Sequence, residues 1–311
     1  MVSEGSSLKL QFDVHSLEGR LLLPAGSVID ESSLCELTRT VRGSFGAPES
    51  LMAYGSVGRD LKKFLACDPY REIFASDQIV SEIVSILEGV RLVPPVLASL
   101  DYFRARDFHT YRHILMVFVL STLLARDLIS DYQERSEEGM AGPIHDFGKI
   151  CVPLPILLKR SPLTRSEFGI LRQHTLAGWI LLSYYLGDCR HAAARIALDH
   201  HERCDGSGYP RRVRLREPMA EIVAVSDIYD ALISPRPYRP VSYDNRTALE
   251  ELTSMAERGE ISEKVVKALI AHNRRNRPNY QDVVLPSEKR GVPPQDNAYG
   301  VIVEDGESGP G

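Results

Sequence analysis

Apolar residues change their spacing once along the chain, and the change separates two kinds of structure. Up to about residue 70, short apolar runs (LKLQFDV, GRLLLPAGSVI) alternate with Gly, Pro and Ser, and only SSLCELTRTVRG has helical spacing. Strands bounded by turn formers, with one helix, are what such a pattern predicts, so residues 1–70 read as a small β-containing module. From about residue 75 the apolar positions recur every three or four residues, in IVSEIVSILEGV, VLASLDYFRA, FGILRQHTLAGWILLSYYL and HAAARIALDHHE. That spacing gathers apolar side chains on one helical face, so residues 75–275 are expected to form an all-helical domain and the fold class is mainly α. Residues 276–311 are polar and rich in Pro and Gly (SEKRGVPPQD, EDGESGPG), the composition of a weakly ordered tail. No internal repeat is found.

One helical stretch has no polar face. Ile114–Ala125 (ILMVFVLSTLLA) is apolar on every side, yet a bilayer span needs about 20 such residues. It is therefore expected to be a buried core helix. Helical spacing is interrupted at Pro153 and Pro155 and again at Gly206 to Pro210. Binding residues concentrate where a rigid element meets a loop, so both interruptions draw attention to their neighbours.

Composition narrows the function classes. The formal charge of -5, with both signs interspersed, offers no global field to a nucleic-acid polymer or an anionic membrane. Five cysteines, Cys35, Cys67, Cys151, Cys189 and Cys204, are odd in number and lack CxxC spacing. They are expected to be free thiols of a reducing compartment rather than a disulfide framework. The start MVSEGSSLKLQF has no basic stretch leading into an apolar one, so no signal peptide is read there and a cytoplasmic protein is expected.

The chemistry lies in polar residues set at those interruptions. His145-Asp146 stand in HDFGK, His174 stands alone, His200-His201 open HHERCDGSGYP, and Asp227 stands in SDIYDAL. Imidazoles with carboxylates make a divalent-metal site, and the carboxylates shift its preference toward manganese or iron(II). A lone histidine is usually a core or surface residue, and His15, His191 and His272 are assigned that role. The Arg211 to Arg216 cluster reads as a solvated loop, and Trp179, Tyr184 and Tyr185 read as helix packing.

Taken in order, DFHTYRH (107–113), HDFGK (145–149), His174, HHERCDGSGYP (200–210) and SDIYDALISPRPYR (226–239) resemble the HD-GYP family of HD-superfamily phosphodiesterases. The resemblance covers roughly residues 100–270. An HD pair alone is weak, whereas HHExxDGxGYP in order with the other segments is specific. The resemblance implies an all-helical HD-type catalytic domain that hydrolyses cyclic di-GMP to pGpG, with onward hydrolysis to GMP left open. It implies two divalent metal ions, iron or manganese, and a metal-bridging hydroxide as nucleophile. His113, His145, Asp146 and Asp227 match the ligands of one metal. Asp146, His174, His200 and His201 match those of the second, with Asp146 as the bridge.

The resemblance also places Lys149, Gly208, Tyr209, Pro210, Arg236 and Arg239 on the substrate side, where a diester with two anionic groups needs cations. Catalytic roles fall to Asp146 and Lys149, with Asp107 as a substrate-side or third-metal contact. Family members built for three metals carry Glu where this chain has His109, four residues before His113 and on the same helical face. A two-metal core is therefore expected, with His109 an optional ligand. The run RRVRLREP (211–218) stands where the family has a short glycine-containing loop. Two other readings stay open: a non-catalytic cyclic-dinucleotide receptor, and an HD phosphohydrolase acting on another cyclic dinucleotide such as cyclic GMP-AMP. Regulation or dimerisation by residues 1–70, a homodimer, and protein partners such as diguanylate cyclases are open as well.

Overall fold

Three helices that are apolar all round fill the centre of the molecule, and the site is built on them. The computed structural model describes residues 8–41, 45–130, 144–235, 241–286, 288–294 and 301–305. The amino-terminal part holds β1 (Leu8–Lys9), β2 (Val14–His15), β3 (Leu21–Leu23), β4 (Val28–Ile29), α1 (Glu31–Arg39), β5 (Glu49–Ser50), α2 (Val57–Leu65), α3 (Tyr70–Ile73), α4 (Asp77–Gly89) and β6 (Arg91–Leu92). The helical part continues with α5 (Pro94–Arg106), α6 (Phe108–Leu128), a 3₁₀ turn at Phe147–Cys151, α7 (Leu154–Leu157), β7 (Leu163–Thr164), α8 (Arg165–Arg172) and α9 (His174–Leu186). It ends with α10 (Ala192–Asp199), α11 (Pro218–Ile233), α12 (Asn245–Glu257), α13 (Glu263–His272) and β8 (Ile302–Val303).

Local sequence explains where the central helices start and stop. Asp107 caps α6 by accepting from the Thr110 amide at 3.1 Å, and Thr164 with Glu167 forms a capping box that starts α8. Pro218 occupies the first position of α11, where its missing N–H costs nothing, and Glu217 accepts from the next two amides. Helix α9 ends at Gly187, whose φ of 67° is the left-handed conformation glycine adopts freely.

The all-apolar run at 114–125 is a core helix, as its pattern implies. Helix α6 is long and apolar enough to cross a membrane by length and composition, but 83 % of its apolar window is buried inside the protein. Helices α5 and α11 pack along it, while α9 packs on α10 and on the 3₁₀ turn. Trp179, Tyr184 and Tyr185 are buried in α9, as expected of packing residues.

The close fit of the 3₁₀ turn on α9 depends on Gly148. A Cβ there would lie 1.9 Å from the His174 carbonyl oxygen and 2.4 Å from the Gly178 amide nitrogen. Only glycine allows the two backbones to meet, and this contact sets HDFGK against His174.

The described amino-terminal strands and first helix pack onto the helical part. Strand β1 pairs antiparallel with β4, and β2 with β3, but Leu10, Val14 and Leu34 belong to the same apolar core as the helical part. The Leu17 amide donates to the Tyr185 hydroxyl at 2.6 Å, and Arg190 pairs with Glu31 at 2.7 Å. The expectation that all cysteines are free is corrected, because Cys35 and Cys189 form a disulfide between α1 and the α9–α10 connection. A separation of 154 residues hides their proximity in the sequence. Cys67, Cys151 and Cys204 are free.

Described residues of the polar carboxy-terminal segment pack against the helical part. Val283 is buried, the Gly291 amide donates to Glu250 at 2.6 Å, and β8 pairs in parallel with β7. Backbone pairing and charge hold these segments, neither of which shows in apolar periodicity.

Gly148→Ala is expected to lower stability by about 1–3 kcal/mol, the usual range for overpacking a filled site. Urea denaturation measures it, and an unchanged midpoint would contradict the close approach.

Candidate metal centre

The three central helices, the 3₁₀ turn and the end of α10 each contribute to one buried cluster. His113 projects from α6, Asp146 leads into the 3₁₀ turn beside His145, His174 begins α9, and Asp227 lies on α11. His200 caps the C-terminal end of α10, where unpaired carbonyls favour a nearby cation, and His201 follows it. His113, His145, Asp146, His174 and His200 are each at most 1 % exposed.

Asp146 divides the imidazoles between its two oxygens. Its Oδ2 lies 3.6 Å from His113 Nε2 and 3.4 Å from His145 Nε2. Its Oδ1 lies 3.5 Å from His174 Nε2 and 3.8 Å from His200 Nε2. Asp227 spans the same division, with Oδ1 2.9 Å from His113 Nε2 and Oδ2 3.9 Å from His201 Nδ1. Two groups of potential ligands result, His113 with His145 and Asp146, and His174 with His200 and His201.

The proton positions show that this donor set suits cations. His174 Nδ1 is 2.6 Å from the Leu171 carbonyl oxygen, and His200 Nδ1 is 2.9 Å from that of Ala197. A carbonyl only accepts, so both Nδ1 atoms carry hydrogen. Burial pushes the His174 pKa down to about 4 and that of His200 to about 3, so both rings are neutral near pH 7. Their Nε2 lone pairs then face each other across 3.3 Å. Buried Asp146 Oδ1 beside them has no hydrogen-bond partner among the described residues. Lone pairs and a carboxylate oxygen converging without donors form a ligand set for divalent metal. Burial alone would raise the Asp146 pKa, but the Lys149 ammonium and the surrounding imidazoles hold it well below the usual carboxylate range. The cluster is therefore anionic where a cation would sit.

The other expected site residues fall into distinct places. Lys149 reaches the cluster, its ammonium donating to Asp146 Oδ2 at 2.6 Å. Tyr209 stacks on His201 with ring centroids 4.6 Å apart and planes 24° from parallel. Gly208 lets the loop close on the HHE segment, since a Cβ there would lie 2.4 Å from the His201 carbonyl oxygen. Pro210 continues the same loop. Asp107 is not brought to the cluster as a ligand; its two oxygens bind the amide and hydroxyl of Thr110 as the helix cap. His109 is exposed, bonded to the Pro235 carbonyl oxygen at 3.2 Å, and belongs to neither ligand group. Arg236 and Arg239 lie outside the described residues.

Several contributors were not singled out by sequence. Asp230 Oδ2 accepts from His113 Nδ1 at 2.6 Å and so fixes that ring's tautomer. Its place one helical turn after Asp227 in SDIYDAL was the available signal. Arg172 stacks over the outer face of Tyr209, its guanidinium carbon 4.6 Å from the ring centroid. Arg211 corrects the reading of its cluster as wholly solvated, since it pairs with nearly buried Asp199 at 2.6 Å. Its amide also donates to Glu202, at 2.6 Å, and this anchors the loop after Pro210. Arg212, Arg214 and Arg216 are exposed as expected.

Comparison with known proteins agrees with this geometry. The family model described as "HD domain" matches residues 105–265, and the chain belongs to the HD-domain family. A cyclic di-GMP phosphodiesterase of Thermotoga maritima is 46 % identical over 43 % of this chain and 37 % of its own length. One from Pseudomonas aeruginosa is 37 % identical over 63 % of this chain and 46 % of its own. A 3'3'-cGAMP-specific phosphodiesterase of Vibrio cholerae is 34 % identical over 54 % and 32 % respectively. The chain thus spans less than half the length of each of these relatives.

Asp146→Ala removes an oxygen from both ligand groups at once. Metal analysis after dialysis is expected to show loss of bound metal from both, with helical circular dichroism retained. Wild-type metal content in this variant would reject Asp146 as the shared ligand.

Proposed function

We propose that this protein is a metal-dependent phosphodiesterase that hydrolyses cyclic di-GMP to linear pGpG. The observation that carries the reading is the division of four buried imidazoles between the two oxygens of Asp146. His113, His145, Asp146 and Asp227 would hold one divalent ion, and Asp146, His174, His200 and His201 the other. Such ions, iron or manganese by the nitrogen and oxygen donors present, would lower the pKa of water and neutralise charge on phosphoryl oxygens.

The chain's own residues contribute binding and orientation. Neutral His174 and His200 keep their Nε2 lone pairs aimed inward because backbone carbonyls hold their Nδ1 protons. Lys149 places an ammonium at the buried carboxylate, within reach of an anion entering the cluster. Tyr209 covers His201 on one side and carries the Arg172 guanidinium on the other, so an aromatic face and a cation stand together at the edge of the site. A nucleotide diester offers bases to stack and phosphates to pair with such groups. Glu202 and Arg211 hold the loop that presents Tyr209.

A second substrate is supported by one observation, the similarity to a 3'3'-cGAMP-specific enzyme. The complete ligand set favours turnover over the receptor reading. Metal-replete protein is expected to convert cyclic di-GMP to pGpG on chromatography, faster than it opens cyclic GMP-AMP, and to stop when a chelator removes the metal. Tight binding of cyclic di-GMP without product would overturn the proposal in favour of a receptor. Preferential hydrolysis of cyclic GMP-AMP would replace the substrate.

A further inference from the structure

We propose that Tyr70, on helix α3 ahead of the matched HD domain, is a positioning residue for the metal centre that acts through Asp230 on His113. This rests on the reading of the cluster as a metal site.

The chain of contacts from Tyr70 through Asp230 to His113 is short and buried. Tyr70 and Asp230 are fully buried, and the Tyr70 hydroxyl donates to Asp230 Oδ1. Ser234 donates to the same oxygen at 2.8 Å, and Arg112 Nη1 approaches it at 3.4 Å. The other oxygen, Oδ2, accepts from His113 Nδ1 at 2.6 Å. Arg112 is held in turn, donating to Ser234 Oγ at 2.5 Å and lying over the Tyr70 ring at 5.5 Å. Donors on Oδ1 fix the plane of the carboxylate, so Oδ2 meets His113 from one direction. The ring is then locked as the Nδ1–H tautomer, and its Nε2 points at Asp227 Oδ1, 2.9 Å away.

Partners of a metal-ligating imidazole set its orientation and basicity, and their loss typically weakens metal binding about 10- to 100-fold. Asp230 is such a partner by position. Tyr70 differs because it lies 160 residues away in sequence and before residue 105, where the HD-domain match begins. Helix α3 is itself braced from the far end of the chain, as Arg277 Nη2 donates to the Ile73 carbonyl oxygen at 2.9 Å. The orientation of a ligand inside the domain thus depends on a hydroxyl supplied from outside it.

Tyr70→Phe deletes that hydroxyl and keeps the ring. Apo full-length protein titrated with Mn²⁺ by calorimetry is expected to bind one equivalent about 10- to 100-fold more weakly than wild type, with the other unchanged. Ser234→Ala removes a different donor from the same oxygen and is expected to weaken that same equivalent. Tyr111→Phe serves as the control, because its buried hydroxyl donates to Asp60 at 3.1 Å and not to Asp230. It should bind Mn²⁺ as wild type does. With cyclic di-GMP as substrate, Tyr70→Phe should lower kcat at subsaturating metal and leave KM unchanged. Wild-type Mn²⁺ affinity in both Tyr70→Phe and Ser234→Ala would overturn the proposal, as would equal weakening in Tyr111→Phe. The titration uses no nucleotide, so its result stands apart from whether cyclic di-GMP is the substrate.

Discussion

A buried carboxylate faced by imidazole lone pairs is stable only when positive charge is placed beside it. Asp146 is 1 % exposed, and each of its oxygens faces two ring nitrogens. Removing such a charge from water costs several kcal/mol even after relaxation. Lys149 supplies one compensating charge at Oδ2, while Oδ1 faces the inward lone pairs of His174 and His200. Divalent ions would complete the compensation that the amino acids leave unfinished. Much of the architecture follows from holding this one carboxylate in place.

Holding it requires backbones that do not move, and the apolar helices provide them. His113 and Asp227 come from α6 and α11, whose side chains are buried along most of their length. Close packing makes such helices stiff, because displacement would open voids or clashes on every side. Gly148 extends the same rigidity to the 3₁₀ turn, bringing its backbone against the start of α9. The ligands therefore converge from five places in the sequence without needing a continuous segment to carry them.

The parts legible in the sequence share a physical basis. Core helices show as periodic apolar spacing, and the candidate ligands are residue types whose chemistry is unusual at those spacings. The HHE run and the GYP loop form one local unit, so their relation was visible directly. What escaped notice depends on distance in sequence. Cys35 and Cys189, Arg211 and Asp199, and the β7–β8 pairing are each ordinary residues made specific by a neighbour that only the fold supplies. Asp107, a carboxylate near the motif, serves the helix start, a role that polar residues before an apolar run commonly have.

The change in apolar spacing near residue 70 reports local structure, and apolar contact runs across it. Leu10, Val14 and Leu34 are buried in the same cluster as α6 and α9, and Tyr70 reaches Asp230 behind a metal ligand. On the proposed role of Tyr70, displacing that segment would carry a cost at the metal centre. Coupling between two regions requires an element whose position affects both. On the same proposal α3 would have that property through a single hydroxyl, and the disulfide at Cys35 ties a second part of the same region to the connection that follows α9, the helix that begins with His174. The amino-terminal segments thus share buried contacts with the helices that carry the candidate ligands.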